Sequence, residues 1–259
     1  MKKSILMLAA GALLLATPSC KKGENDPALS LASRKARVSG EWNVTGWDYT
    51  SMNTESDGDY QSETATMSGN TITETESSYD KSDNITVTTT STTTLNEGTF
   101  TFDKDGTFSR VWNTTKVSTS SQDFFGTTYT TTTTSVSTNS ISGNWSFVGK
   151  VKDEYKKKER IVLNTTSSSY TAQSTAVTTN NSNSDVNTVN GDKTAGTDSY
   201  NSGEWVDVWE IDQLKGKEMI LKSISKQSGS YSVTPFGGST TSTTDDVYTS
   251  ETKITLTAK

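Results

Sequence analysis

From residue 39 onward the chain consists of runs in which apolar or aromatic residues alternate with polar ones, and no helical period persists. Such alternation is typical of strands that bury one face. Ser and Thr make up about a third of the chain, against an ordinary composition led by Leu, Ala and Gly. Thr is β-branched and suits a pleated surface, and the chain has only 3 Pro, the residue that interrupts hydrogen-bonded ladders. The pattern predicts an all-β fold.

Turn residues, mainly Gly, Asn and Asp, divide these runs into candidate strands. The predicted strands are 41–50, 59–67, 71–79, 85–95, 99–102, 107–118, 127–138, 140–150, 160–166, 170–178, 204–214, 218–227, 230–235 and 247–258. Neighbouring runs are close enough to form hairpins, and no crossover helices separate them. Because parallel pairing needs such crossovers, we predict an antiparallel sheet.

Apolar side chains are concentrated in some of these runs and almost absent from others. The predicted core residues are Trp42, Val44, Trp47, Tyr49, Phe100, Phe102, Phe108, Trp112, Trp145, Phe147, Ile161, Leu163, Val206, Val208, Trp209, Ile211, Leu214, Met219, Leu221, Ile224, Ile254 and Leu256. The runs 86–94 and 127–138 have almost no apolar face, so we expect them to form ribbons that extend past the core. The Asn-, Asp-, Ser- and Gly-rich stretch 180–202 is expected to be a mobile loop.

The first twenty residues have the organisation of a signal peptide. Lys2 and Lys3 form a basic start, residues 5–16 form an apolar run too short to span a bilayer stably, and small residues follow up to Cys20. This segment resembles a bacterial lipoprotein signal peptide, which implies that Cys20 becomes the acylated first residue of the mature chain. An ordinary secretory signal with an incidental Cys is the alternative.

The resemblance divides the chain into three parts: a signal peptide at 1–19, a lipidated Cys with a tether at 20–37, and a β-barrel domain at 38–259. Cleavage before Cys20 removes two lysines and no acidic residue, so the formal charge changes from −6 to −8. We expect Asp26 and Pro27 to begin a short helix that runs through residue 36. The acidic tether resembles the export signals of Bacteroidetes surface lipoproteins, with a plain solvated linker as the alternative.

Composition excludes several classes of function. The chain has no His and a single Cys, so the common zinc, haem and iron–sulfur sites, an intramolecular disulfide and a Ser-His-Asp or Cys-His pair cannot be built. Its acidic balance lacks the positive charge that binds nucleic acid. We therefore expect no cofactor, no metal, no nucleic-acid partner and no enzymatic activity.

Several short motifs occur in a characteristic order. Gly40-Glu41-Trp42 opens the first strand, the Phe-rich segment 98–108 contains an acidic turn, and Gly143-Asn144-Trp145 follows. Residues 209–214 and 219–221 supply a closing apolar pair of strands. Together these motifs resemble the lipocalin-like lipoproteins of Bacteroidetes. The resemblance implies an antiparallel, up-and-down, calycin-type β-barrel that encloses a small apolar or amphipathic molecule. The Thr/Ser-rich runs then form long hairpin extensions.

The resemblance also implies an interior lined by aromatic side chains. The candidate interior residues are Trp42, Phe108, Arg110, Trp112, Trp145 and Trp209. Phe108, Arg110 and Trp112 share one strand face, so we expect Arg110 to point inward, where its guanidinium over Trp42 is worth about 0.5–2 kcal/mol as a cation–π pair. In the alternative, Val111 points inward and Arg110 outward.

Two charged segments admit more than one interpretation. The segment 103–106 resembles the start of a calcium loop, but no later Glu follows at the required spacing, so we predict a hairpin turn that ends at Gly106. The basic run 156–160 is most simply a solvated turn, with contact to anionic headgroups or polysaccharide as the alternative.

Two functions remain open for a lipid-anchored outer-membrane protein of this kind. In the first, the barrel binds a small apolar or amphipathic molecule between Trp and Phe side chains. In the second, the barrel is filled, and the Thr-rich ribbons contact another chain or carry glycans. The two differ in whether the interior contains an empty volume.

Overall fold

The computed structural model describes residues 33–125, 127–148, 159–233 and 242–259. In these ranges the chain forms one short helix, α1, and twelve strands, and every strand pairing is antiparallel. The elements are α1 (Arg34–Val38), β1 (Gly40–Glu55), β2 (Tyr60–Ser68), β3 (Thr71–Asp80), β4 (Ile85–Phe102), β5 (Thr107–Phe124), β6 (Thr127–Val148), β7 (Glu159–Asn180), β8 (Val186–Asn190), β9 (Thr194–Ser199), β10 (Trp205–Lys215), β11 (Glu218–Val233) and β12 (Ser242–Ala258). The antiparallel all-β class is therefore confirmed.

The strands form a ring. Eight of them pair in the order β1, β4, β5, β6, β7, β10, β11 and β12, and β12 pairs back onto β1. We call the end that carries α1, the turn at 103–106 and the turn between β10 and β11 the basal end. The opposite end, with the turns at 56–59 and 81–84, is the distal end.

Two insertions widen the ring toward its distal end. The hairpin β2–β3 lies between β1 and β4, which pair directly only through residues 40–43 and 99–102. On the other side, β8 and β9 pair with the distal part of β7, beyond the residues that pair with β10. The expectation of a mobile loop at 180–202 is therefore wrong, because much of this segment forms strands on an edge of β7 that would otherwise be unpaired.

Several predicted strand ends lie inside continuous strands. The runs 85–95 and 99–102 form the single strand β4, which contains a register shift between Leu95 and Glu97. In the same way, β6, β7 and β11 each join two predicted runs, and the Thr-rich runs are the distal parts of core strands. Hydroxyl pairs join neighbouring distal strands, as between Thr119 and Thr132.

The hydrophobic core fills the basal part of the ring. Its fully buried members include Trp42, Phe100, Phe102, Ile161, Leu163, Ile211, Leu214, Met219, Leu221 and Leu256. Helix α1 closes this end with Val38, whose carbonyl accepts a hydrogen bond of 2.8 Å from the Trp42 indole. Arg37 anchors the helix by donating to the Leu214 carbonyl oxygen at 3.0 Å.

Ser33 is the N-cap of helix α1, and its hydroxyl accepts a hydrogen bond from the Ala36 amide. The predicted signal peptide, Cys20, the tether up to residue 32 with Asp26 and Pro27, and the lysines at 156–158 lie outside the described residues. Within the residues that the structure does describe, no helix has the length and apolar character required to cross a membrane.

Candidate functional site

A β-bulge determines which aromatic side chains face the interior. In β1, Trp42 and Val44 point into the core, and the register shifts between Val44 and Gly46. A bulge inserts one residue and so reverses the alternation beyond it. As a result Trp47 and Tyr49, which have the opposite parity to Trp42, also lie on the core side.

At the basal level the interior contains packed aromatic side chains. Trp42, Phe108 and Trp145 are each no more than 4% exposed. The Trp145 indole donates to the Asp103 carbonyl oxygen at 3.0 Å, and its ring meets Phe102 edge to face with centroids 5.5 Å apart. These three candidate residues thus belong to the packed core and line neither of the two cavities described below.

On the distal side of this core lies a layer that contains half-buried charged side chains. Arg110 occupies the same face as Phe108, and its guanidinium donates to the Asn139 side-chain oxygen at 3.0 Å. Burial lowers the pKa of Arg110, and the charge of Asp207 opposes that change. Burial raises the pKa of Asp207, while Arg110 and a hydrogen bond from Trp205 oppose it. Because β5 and β10 are separated by two strands, these two charges interact across the interior.

Two tryptophans form the next layer. Trp47 and Trp112 meet edge to face, with centroids 5.7 Å apart and an interplanar angle of 75°. They are part of the wall of an interior cavity of about 340 Å³, whose apolar side also includes Ile72. Toward the distal end of the same strands the lining is polar and consists of Glu74, Thr93, Thr114, Lys116, Ser135 and Ser137. This volume is within the range of small-molecule sites.

Acidic side chains surround the polar side of the cavity. Glu74 accepts a hydrogen bond from Ser91 at 3.1 Å and lies 3.7 Å from the Lys116 ammonium. The pKa of the neighbouring Glu63 is raised by burial and by the carboxylates of Glu76 and Glu74. The cavity therefore has an apolar basal part and a charged distal part, an arrangement that suits an amphipathic molecule.

A second cavity, of about 620 Å³, lies where the β2–β3 hairpin separates β1 from β4. Its floor includes Val44 and Leu95, and its rim carries Asn43, Asn96 and Glu97. It opens widely to solvent, and no aromatic side chain lines it. This notch therefore offers less enclosure than the interior cavity.

The two remaining candidates, Trp209 and Arg110, do not line the interior cavity. Trp209 is half-buried and packs on the core. The Arg110 guanidinium donates to Asn139, and the cation–π contact among the described residues is that of Lys35 with Trp145, at 5.8 Å. Sequence reasoning did not select Trp47, Asn139 or Asp207 as site residues. A signal for Trp47 exists in the sequence, since the aromatic alternation changes phase after Val44.

The turn at 103–106 is a hairpin turn. Gly106 has a φ of +104°, and the Asp105 carboxylate accepts hydrogen bonds from the Thr107 amide and hydroxyl. These bonds lower the pKa of Asp105. In the described ranges, no group of three or more His, Cys, Asp or Glu side chains is placed to hold a metal ion.

Comparison of the chain with protein-family models, with curated proteins and with solved structures finds no match.

Proposed function

We propose that this protein is a lipid-anchored, non-catalytic binding protein of the outer membrane, and that its ring of strands is a lipocalin-like, up-and-down β-barrel. The order of the eight-stranded ring supports the barrel, because each strand pairs with the next one along the chain apart from the β2–β3 and β8–β9 insertions. Closing a sheet in this way removes exposed edges and leaves room for one small ligand.

The proposed ligand is a small amphipathic molecule held in the interior cavity. One observation supports this choice above the others: Trp47, Trp112 and Ile72 line the basal part of the cavity, and Glu74, Lys116 and two serines line its distal part. The apolar part of the ligand packs against the indoles, and its polar part reaches the charged distal side chains. Burial of apolar ligand surface supplies most of the affinity, and the few polar groups fix its orientation.

A titration of delipidated protein with lauric acid and with dodecylamine, followed by tryptophan fluorescence, tests this proposal. Either probe should change the emission of Trp47 and Trp112. Ser135→Phe fills the cavity and should weaken binding at least about tenfold, since the aromatic ring occupies the volume that the acyl chain needs. The matched control is Val136→Phe, which places the same ring on the opposite face of β6, where Val136 is exposed.

The alternative is an interaction protein with a filled barrel and Thr-rich contact ribbons. The burial of Trp42, Phe108 and Trp145 in the hydrophobic core favours it. Absence of a fluorescence response to both probes, or equal weakening by Ser135→Phe and Val136→Phe, would favour this alternative over the binding protein.

The anchor is tested separately. Mass spectrometry of the protein purified from its own envelope should find acyl chains on the peptide that begins at Cys20, and Cys20→Ser should abolish both the mass increase and membrane retention. More than one acyl chain is needed for stable anchoring. An unmodified Cys20 in the wild-type protein contradicts the anchor and leaves the ligand proposal intact.

A further inference from the structure

The two ends of the ring carry opposite charge. Among the residues that the structure describes, eight basic and five acidic side chains lie in α1, in the turns or within two residues of a strand end at the basal end. They are Arg34, Lys35, Arg37, Lys104, Arg160, Lys215, Lys217 and Lys259 against Glu41, Asp103, Asp105, Glu159 and Glu218. The described part of the basal end is therefore positive although the chain as a whole is negative.

The distal end has the reverse balance. In the described ranges, nine acidic side chains and one basic one lie in or beside its turns, and the strand pairing places Asp246 opposite Glu55. They are Glu55, Asp57, Asp59, Asp80, Asp83, Asp123, Asp185, Asp245 and Asp246 against Lys81. Because the ring separates these groups along its length, the molecule has a charge asymmetry directed from one end to the other.

The basic side chains at the basal end are presented to solvent. Lys35, Lys104, Lys215, Lys217 and Lys259 are all exposed. Backbone hydrogen bonds bring their elements together, since the Ala258 amide donates to the Lys217 carbonyl and the Trp145 amide donates to the Gly106 carbonyl, next to the turn that carries Lys104. Helix α1 connects the two sides, since Lys35 lies over the Trp145 ring and Arg37 donates to the Leu214 carbonyl next to Lys215. The five lysines therefore lie at one end of the ring, where Lys259 also pairs with Glu41.

We propose that the basal end docks on an anionic lipid bilayer, with the distal end directed away from it. Each lysine within roughly 8–10 Å of anionic headgroups strengthens membrane binding about fivefold. The acidic distal end is repelled by the same surface, so charge alone selects one orientation. In that orientation the interior cavity, which lies distal to the packed core, stays open to solvent. This docking requires neither acylation of Cys20 nor a bound ligand.

Vesicle flotation tests this docking without the anchor. The probe is a chain that begins at residue 20 and carries Cys20→Ser, mixed with phosphatidylglycerol–phosphatidylcholine vesicles or with pure phosphatidylcholine vesicles. The protein should float with the anionic vesicles at low salt, and about 0.5 M salt should release it, because screening shortens the range of the attraction. Lys215→Glu/Lys217→Glu should weaken the partition at least about tenfold.

The matched control is Lys193→Glu/Lys226→Glu, which produces the same change in net charge at exposed positions away from the basal end. Circular dichroism and the melting temperature verify that both variants are folded. Equal loss in the two variants, equal binding to both kinds of vesicle, or no binding at low salt would overturn the docking. None of these results bears on the ligand titration or on the mass of the Cys20 peptide, so failure here is distinguishable from failure of the proposed function.

Discussion

A single indole connects the helix to the ring. The Trp42 side chain is 2% exposed, and its N–H donates to the Val38 carbonyl, which also lies in the core. Trp42→Phe keeps an aromatic ring but leaves that carbonyl without its donor and opens a small cavity, so we expect a loss of about 2–3 kcal/mol in the free energy of unfolding. Urea unfolding followed by circular dichroism measures it. Trp209→Phe, at a half-buried position, should cost less than about 1 kcal/mol; equal losses would contradict the role given to this bond.

The pH dependence of stability should carry a contribution from Glu63. Its pKa is raised in the folded protein, by burial and by Glu76 and Glu74, so its contribution to stability is largest at acidic pH and is lost as the pH rises through that pKa. Glu63→Gln should therefore stabilise the protein at pH 7 by a few tenths of a kcal/mol, a small gain because solvent screens the group. The gain should vanish near pH 4.

The pKa of Asp80 is shifted in the opposite direction to that of Glu63, because hydrogen bonds from Ser82 and Asp83 lower it. Asp80→Asn should destabilise the protein at pH 7, and the two proteins should converge in acid. The midpoints of urea unfolding at both pH values measure the two differences. Differences of the same sign for the Glu63 and Asp80 variants would be inconsistent with these assignments.

At the scale of the strand, one glycine allows β6 and β7 to pair through a register shift. A Cβ on Gly143 would lie 2.1 Å from the Asn164 carbonyl oxygen and 2.9 Å from the Thr165 Cα, and both are backbone atoms that cannot move independently. Gly143→Ala should cost about 2–4 kcal/mol, since the strands must separate or the bulge must be rebuilt. Ser146→Ala, at an exposed position of β6, should change stability by less than about 0.5 kcal/mol. Thermal unfolding of both variants measures these two changes in stability.

The sequence predicts where the strands lie better than it predicts where they end and how they pair. Alternation locates the core strands, because a strand has a fixed side-chain period. It fails at bulges, where a Gly or Asn that resembles a turn only shifts the register, so β4 is predicted as two strands. In β1, the shift between Val44 and Gly46 puts Trp47 on the interior face, where the sequence predicts a core residue but not a site residue. Asn139 and Asp207 are missed because their proximity to Arg110 depends on pairing and closure across several strands, which no local pattern encodes.

At the scale of the whole molecule, stability should be unequal along the ring. The apolar core is basal, where Ile254 and Leu256 are buried, whereas Ile85 and Val87 near the distal end are more than half exposed. Local opening has a low free energy where few apolar contacts oppose it. Amides of 99–102 and 254–256 should therefore exchange only through global unfolding, and those of 86–90 and 119–123 through local opening at least about 100-fold faster. Native-state hydrogen exchange followed by mass spectrometry measures this, and uniform protection along β4 would show that the Thr-rich distal ladder is as stable as the core.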